Sequence, residues 1–107
     1  MSIDHALVAI STVSSQADAE RIARTLVEER LAACVNMIPG VRSIYRWKGA
    51  VEDEQEILLL MKTTTDTIER LRLRLHELHP YELPEFVVLQ VDRLSAAYGA
   101  WILESVE

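Results

Sequence analysis

The hydrophobic positions of the chain change period several times, and each change marks an element. From Ile3 to Thr12 hydrophobic and small residues follow one another almost unbroken, the pattern of a central strand buried on both faces. The period then becomes helical. Ala19, Ile22, Ala23, Leu26 and Val27 form one apolar stripe, Ser14 or Ser15 stands where a cap is needed, and Asp18 and Glu20 suit the first turn. Glu28, Glu29 and Arg30 close that helix. A second strand-like run, Leu31 to Ile38, meets Pro39-Gly40, which cannot lie inside a regular central ladder and so predicts a bend or bulge.

Beyond the bend lies the longest β signal, VRSIYRWKGAVEDEQEILLLMKTTT from Val41 to Thr65, which reads as one hairpin folding over Lys48-Gly49-Ala50. Strands usually run about 5 to 6 residues, so the distal part of this hairpin, with Tyr45 and Trp47, is expected to overhang its own domain. Arg42, Arg46 and Lys48 lie on one arm and Glu52, Asp53, Glu54 and Glu56 on the other. Alternation along each strand predicts Arg46 opposite Glu52 and Arg42 opposite Glu56, with Val41, Tyr45, Trp47, Val51 and Ile57 on the other face. Unpaired edges on such an overhang need a cover, and a second copy of the chain is the simplest one.

After the hairpin, Asp66 and Glu69 have capping-box spacing, and Ile68, Leu71, Leu75 and Leu78 form a helical stripe with Arg70, Arg72, Arg74 and Glu77 left to solvent. Pro80 ends that helix, and His79 to Glu85 then reads as a stiff extended connection, because Pro80 and Pro84 restrict the residues around them. Phe86 to Val91 is expected as a fourth buried strand, and Ser95 caps a last helix with Tyr98, Trp101, Ile102 and Val106 available to pack. The order βαββαβ plus a terminal helix predicts an α+β, ferredoxin-like sandwich with strand order 4-1-3-2.

Composition narrows the function. The chain of 107 residues is expected to form one domain, and with half its residues hydrophobic it can fill a core. Seventeen acidic against eleven basic side chains give a formal charge of −6, the wrong field for general nucleic-acid binding. Cys34 is the only cysteine, which excludes an intrachain disulfide and thiolate clusters. No hydrophobic run approaches the roughly 20 residues of a membrane span, and MSIDHALVAI carries an acid where an export signal would be basic. The expected location is the cytoplasm, with no membrane partner.

Glu29-Arg30-Leu31-Ala32-Ala33-Cys34-Val35-Asn36, Ile38-Pro39-Gly40, Tyr45-x-Trp47-x-Gly49, Glu56 ahead of Lys62-Thr63, and His79-Pro80-Tyr81-Glu82-x-Pro84-Glu85 occur in this order across essentially the whole chain. In these motifs the sequence resembles the CutA1 family of divalent-cation tolerance proteins. The resemblance implies a ferredoxin-like protomer in a PII-like homotrimer, with long hairpins interlocking between subunits, and a non-enzymatic role in tolerance of copper (Cu2+) and other divalent cations. It also implies a copper site. Some bacterial members have Cys-Thr where this chain has Ser11-Thr12, and His-His-Pro-Tyr where it has Leu78-His79-Pro80-Tyr81.

With the thiol replaced by Ser11 and one imidazole by Leu78, His79 is the remaining member of that set, too few for a selective centre that takes three or four nitrogen or sulfur donors. His76, three residues earlier on the expected helix, is the candidate second ligand, with Glu82 or Glu85 as a third; the alternative is two polar residues at a helix C-terminus. Cys34 is a soft donor in an apolar run, where a thiol more often behaves as a small hydrophobe. Glu52 to Glu56 suit either a hard cation or pairing with Arg42 and Arg46. Tyr45 and Trp47, with Arg42, Arg46, Glu52 and Glu56, are expected to form the trimer interface. Tyr81, Glu82 and Glu85, with Ser11 and Thr12, are expected to line a ligand cleft. The other reading is a PII-like sensor of a small anion held by the Ser11 to Ser15 loop, without a physiological metal. No arginine-bearing anion loop, Walker A or GxSxG element is present, so no catalysis is expected.

Overall fold

A computed structural model describes residues 4–107 of the chain. Its elements are β1 (Ala6–Val13), α1 (Gln16–Glu28), β2 (Cys34–Trp47), β3 (Ala50–Thr64), α2 (Ile68–Leu78), β4 (Val87–Gln90) and α3 (Ala96–Ser105). The sheet order is β2-β3-β1-β4, with every pair antiparallel, which is the order expected from two crossovers. The expected strand position Ile3 lies outside the described residues.

Alternation sorts the two sheet faces. Ala9 and Val13 of β1 and Ile57, Leu59 and Met61 of β3 share one face and form a single buried cluster with Ala19, Ile22 and Leu26 of α1 and Leu71 and Leu75 of α2. On the other face Ile102 and Val106 pack with Ala33 and Ala6, so α3 covers part of the sheet opposite the two main helices. No helix among the described residues is long and apolar enough to cross a membrane.

Several local expectations change. Ser15, not Ser14, caps α1, its Oγ accepting the Asp18 N–H at 3.1 Å, while Val27 leaves the stripe and is exposed. The second strand starts at Cys34, three residues later than expected, because Leu31 to Ala33 form a buried turn. The capping box of α2 does not form. Thr67 occupies the cap position without a side-chain cap; its hydroxyl accepts from Thr64 Oγ1 at 3.1 Å and donates to the Glu107 carbonyl at 3.2 Å, and Glu69 pairs with Arg72. Ser95 caps α3 as expected, Oγ to the Tyr98 N–H at 3.3 Å, but Tyr98 and Trp101 stay partly exposed. The largest departure is β4, which is short and exposed throughout instead of buried; it is an edge strand that pairs with β1 alone.

The long hairpin is present, and it stretches the molecule to 46 × 26 × 24 Å. The predicted break at Pro39-Gly40 is a bulge: Ile38 faces Leu58 but Val41 faces Glu56, and Gly40 has φ 76°. The register beyond it is one residue from the expected one. Lys48 (φ 48°) and Gly49 (φ 81°) close a two-residue turn, so Arg46 faces Val51, not Glu52, and Arg42 faces Gln55, not Glu56. A shift of one residue exchanges faces. Tyr45 and Trp47 therefore share a face with Glu52, Glu54 and Glu56, while Arg42, Ile44 and Arg46 lie with Val51, Asp53 and Gln55. Arg42 grips Asp53 diagonally, Nε to Oδ1 at 2.8 Å and Nη2 to Oδ2 at 2.6 Å.

Candidate ligand cleft

The acidic, aromatic face of the hairpin is one wall of an open cleft of about 1070 Å³; residues 81–85 form the other. Proline chemistry puts that second wall in place. Pro80 stops α2 at Leu78 and leaves His79 extended, with φ −78° and ψ 134°. From there the His79 ring turns inward and is buried. Its Nε2 lies 2.8 Å from the Thr12 carbonyl oxygen, and its Nδ1 accepts the Tyr81 N–H at 3.1 Å. A nitrogen that accepts carries no proton, so Nε2 is the protonated one and donates to Thr12. Burial holds the imidazole below its ordinary pKa, against the raising effect of the Thr12 bond.

Tyr81 follows, with its ring edge-on to His79 at 4.6 Å and its hydroxyl donating to Glu56 Oε2 at 2.8 Å. Burial first, then the Glu56 hydrogen bond, pushes the phenol up to about 12. Glu56 itself is buried. The Glu85 carboxyl is also raised, by burial and then by the Glu56 charge, and the Tyr45 phenol is raised by burial and then by Glu54. At the open end Lys48 reaches Glu82 at 3.2 Å and lies 5.4 Å over the Trp47 ring, tying the hairpin tip to the segment. Carboxylates and phenols thus meet in one place, suited to a polar ligand or a hard cation.

The residues assigned separately to a ligand cleft and to an interface are brought together here: Thr12, Tyr45, Trp47, Glu52, Glu56, Tyr81, Glu82 and Glu85 line it, while Arg42 and Arg46 border it through β2 with their side chains on the opposite face of the hairpin. Three others are not. Ser11 points to the helix side of the sheet and is fully buried, with no hydrogen-bond partner for Oγ. His76 is exposed on α2, its Nδ1 2.8 Å from the Arg72 carbonyl oxygen and its ring 6.3 Å from Phe86. Cys34 is half-buried at the start of β2, its Sγ 3.7 Å from Asn36 Oδ1. The shared helical face expected for His76 and His79 does not exist, because His79 lies beyond the end of the helix. Sequence reasoning missed Ser43 as a lining residue, because the register set by the two-residue turn at Lys48-Gly49 places it beside Glu54 on the cleft face.

The family model for the CutA1 divalent ion tolerance protein matches residues 7–105. The chain belongs to the CutA1 family. The divalent-cation tolerance protein CutA of Thermus thermophilus is 50% identical over 98 residues, covering 92% of this chain and 95% of that one. A solved structure of the Thermus thermophilus protein superposes with a TM-score of 0.92 at 48% identity, over 95% of this chain and 99% of the other. CutA from Xylella fastidiosa gives a TM-score of 0.93 at 43% identity, over 95% and 98%.

The copper site implied by the CutA1 resemblance does not fit these side chains. Ser11 offers a buried hydroxyl in place of a thiol, Leu78 offers no donor, and both nitrogens of His79 are engaged. Among the described residues no group of three or more His, Cys, Asp or Glu side chains is arranged to hold a metal ion. The Ser11 to Ser15 loop fares no better as an anion cradle, since Ser11 faces the core and Ser15 Oγ is used as the α1 cap.

Proposed function

We propose that this chain is a non-enzymatic divalent-cation tolerance protein of the cytoplasm that works as a PII-like homotrimer, taking a divalent cation or a small polar ligand in clefts between subunits. One observation carries the reading. Val87, Val88 and Leu89 of β4, Ile44 and Val51 of the distal hairpin and Leu83 beside the cleft are all exposed hydrophobic residues. Exposed apolar surface on this scale marks a site of contact, and it flanks the cleft. A second copy laid against the hairpin would both bury these side chains and close the cleft.

Sedimentation velocity tests the assembly: a trimer at micromolar concentration is the expected result, and a folded monomer would refute it. Calorimetric titration with Cu2+, Zn2+ and Mn2+ tests the cation. Binding weakened about tenfold or more by Glu56→Gln or Glu85→Gln supports the carboxylate cleft, and binding indifferent to both removes it.

A small-anion sensor is the second reading, supported by Arg46, which is exposed on the opposite face of the hairpin and has no ion pair among the described residues. A rise in melting temperature with phosphate, abolished by Arg46→Gln and unaffected by chelators, would favour it over the cation.

A further inference from the structure

We propose that His79 is a positioning residue that clamps the Tyr81 wall of the cleft in place and is closed to metal ions. The ring spans two segments far apart in sequence: Nε2–H donates to the Thr12 carbonyl at the end of β1, and Nδ1 accepts from the Tyr81 N–H. These two bonds fix where Tyr81 starts, and Tyr81 then reaches Glu56 at 2.8 Å. The order of contacts is therefore β1, His79, Tyr81, Glu56, a closed path from one strand to another through the cleft wall.

Coordination would break that path at either nitrogen. A metal on Nε2 needs the lone pair there, which drives the proton to Nδ1 and sets two N–H donors, Nδ1 and Tyr81 N, against each other. A metal on Nδ1 displaces the Tyr81 N–H directly and leaves a partly buried backbone donor without a partner. No compensating ligand set is at hand, since the neighbours acting on the ring are Asp18, whose carboxylate already accepts from Arg21, Glu56, held by Tyr81, and His76 on the exposed face of α2. The role of the clamp rests on the reading that the cleft is the functional surface; the closure of His79 to metal does not.

The test is nitrogen-15 NMR of the imidazole rings in the full chain, with zinc ions as a diamagnetic probe. His79 is expected as the Nε2–H tautomer, its signals unmoved by several equivalents of Zn2+, with His76 on the same helix end as the accessible comparison. His79 signals that shift in step with zinc would overturn the closure. A His79 ring found as the Nδ1–H tautomer would overturn the clamp whether or not zinc binds elsewhere, and zinc that binds nowhere with His79 as Nε2–H would count against the cation reading of the cleft while upholding the clamp.

The clamp is read by the ultraviolet titration of Tyr81, assigned by difference against Tyr81→Phe. His79→Ala is expected to lower the Tyr81 titration toward an ordinary phenol. His79→Asn, whose side-chain oxygen can accept the N–H two residues on, should restore most of the upward shift. An unchanged Tyr81 titration in His79→Ala would overturn the positioning role. If His79→Ala does not fold, His79→Asn decides the same point: a Tyr81 titration kept near that of the parent supports the acceptor role, and one that falls to that of an ordinary phenol overturns it.

Discussion

In the layered half of the molecule Thr63, Thr64 and Thr67 are buried with partners, whereas in the distal hairpin Ile44 and Val51 are exposed without them. Thr63 Oγ1 donates to the Leu31 carbonyl at 2.8 Å and Thr64 to Thr67, all inside a packed sandwich where Leu26, Leu59, Leu71 and Leu75 are fully buried. Ile44 and Val51, by contrast, face each other's side of the hairpin at 65% and 64% exposure. The first region satisfies itself except at Ser11. The second carries strong β formers and an ordered ion pair, Arg42 with Asp53, yet leaves its apolar groups in water. A chain holds such a surface when its stability and its contacts are assigned to different segments.

Paired substitutions are the sharpest way to break that comparison. Leu71→Ala in the core should cost about 2–5 kcal/mol of unfolding free energy, seen as a large fall in denaturation midpoint. Ile44→Asp should leave the fold of the protomer intact and instead shift sedimentation toward smaller species. Equal losses of thermal stability at high dilution, where assembly contributes least, would mean that the hairpin is part of the folding core after all.

Smaller effects sharpen the boundary between the regions. Gly40 adopts φ 76° at the bulge, with open space around it, so Gly40→Ala should cost about 1–2 kcal/mol through backbone strain alone. A urea midpoint unchanged from the parent would show that the bulge relaxes. Ser11→Ala should have the opposite sign and stabilise by about 1 kcal/mol, because it removes a buried hydroxyl that lacks a partner. A loss of stability there would point to a hydrogen bond for Ser11 in the assembled protein.

The pH dependence is the mildest test. The Tyr81 phenol is raised from 10.0 to about 12, so the folded chain keeps a proton that the unfolded chain releases. Its stabilising contribution is complete below pH 10 and is lost as pH rises toward about 12. Chemical denaturation across that window should fall less steeply in Tyr81→Phe than in the parent.

Much of this architecture was legible in the chain because it depends on neighbours a few residues apart. The stripe Ala19, Ile22, Ala23 and Leu26, the caps Ser15 and Ser95, the bulge at Pro39-Gly40 and the strand order all follow from periodicity, turn chemistry and crossover rules. The candidate site was legible as two lists of residues but not as one cleft. A turn of two residues at Lys48-Gly49 in place of three moved Tyr45 and Trp47 onto the face of the glutamates, and no local signal had separated those turns.

What the sequence alone determined is the set of elements, their order and the overhang of the hairpin, since these rest on short-range steric and hydrophobic patterns. The tertiary structure alone decided the register of the hairpin, the exposure of β4 and the commitment of His79 to Thr12 and Tyr81. Register depends on the geometry of a single turn, exposure on which layer covers a strand, and the state of an imidazole on a carbonyl oxygen 67 positions away in the chain.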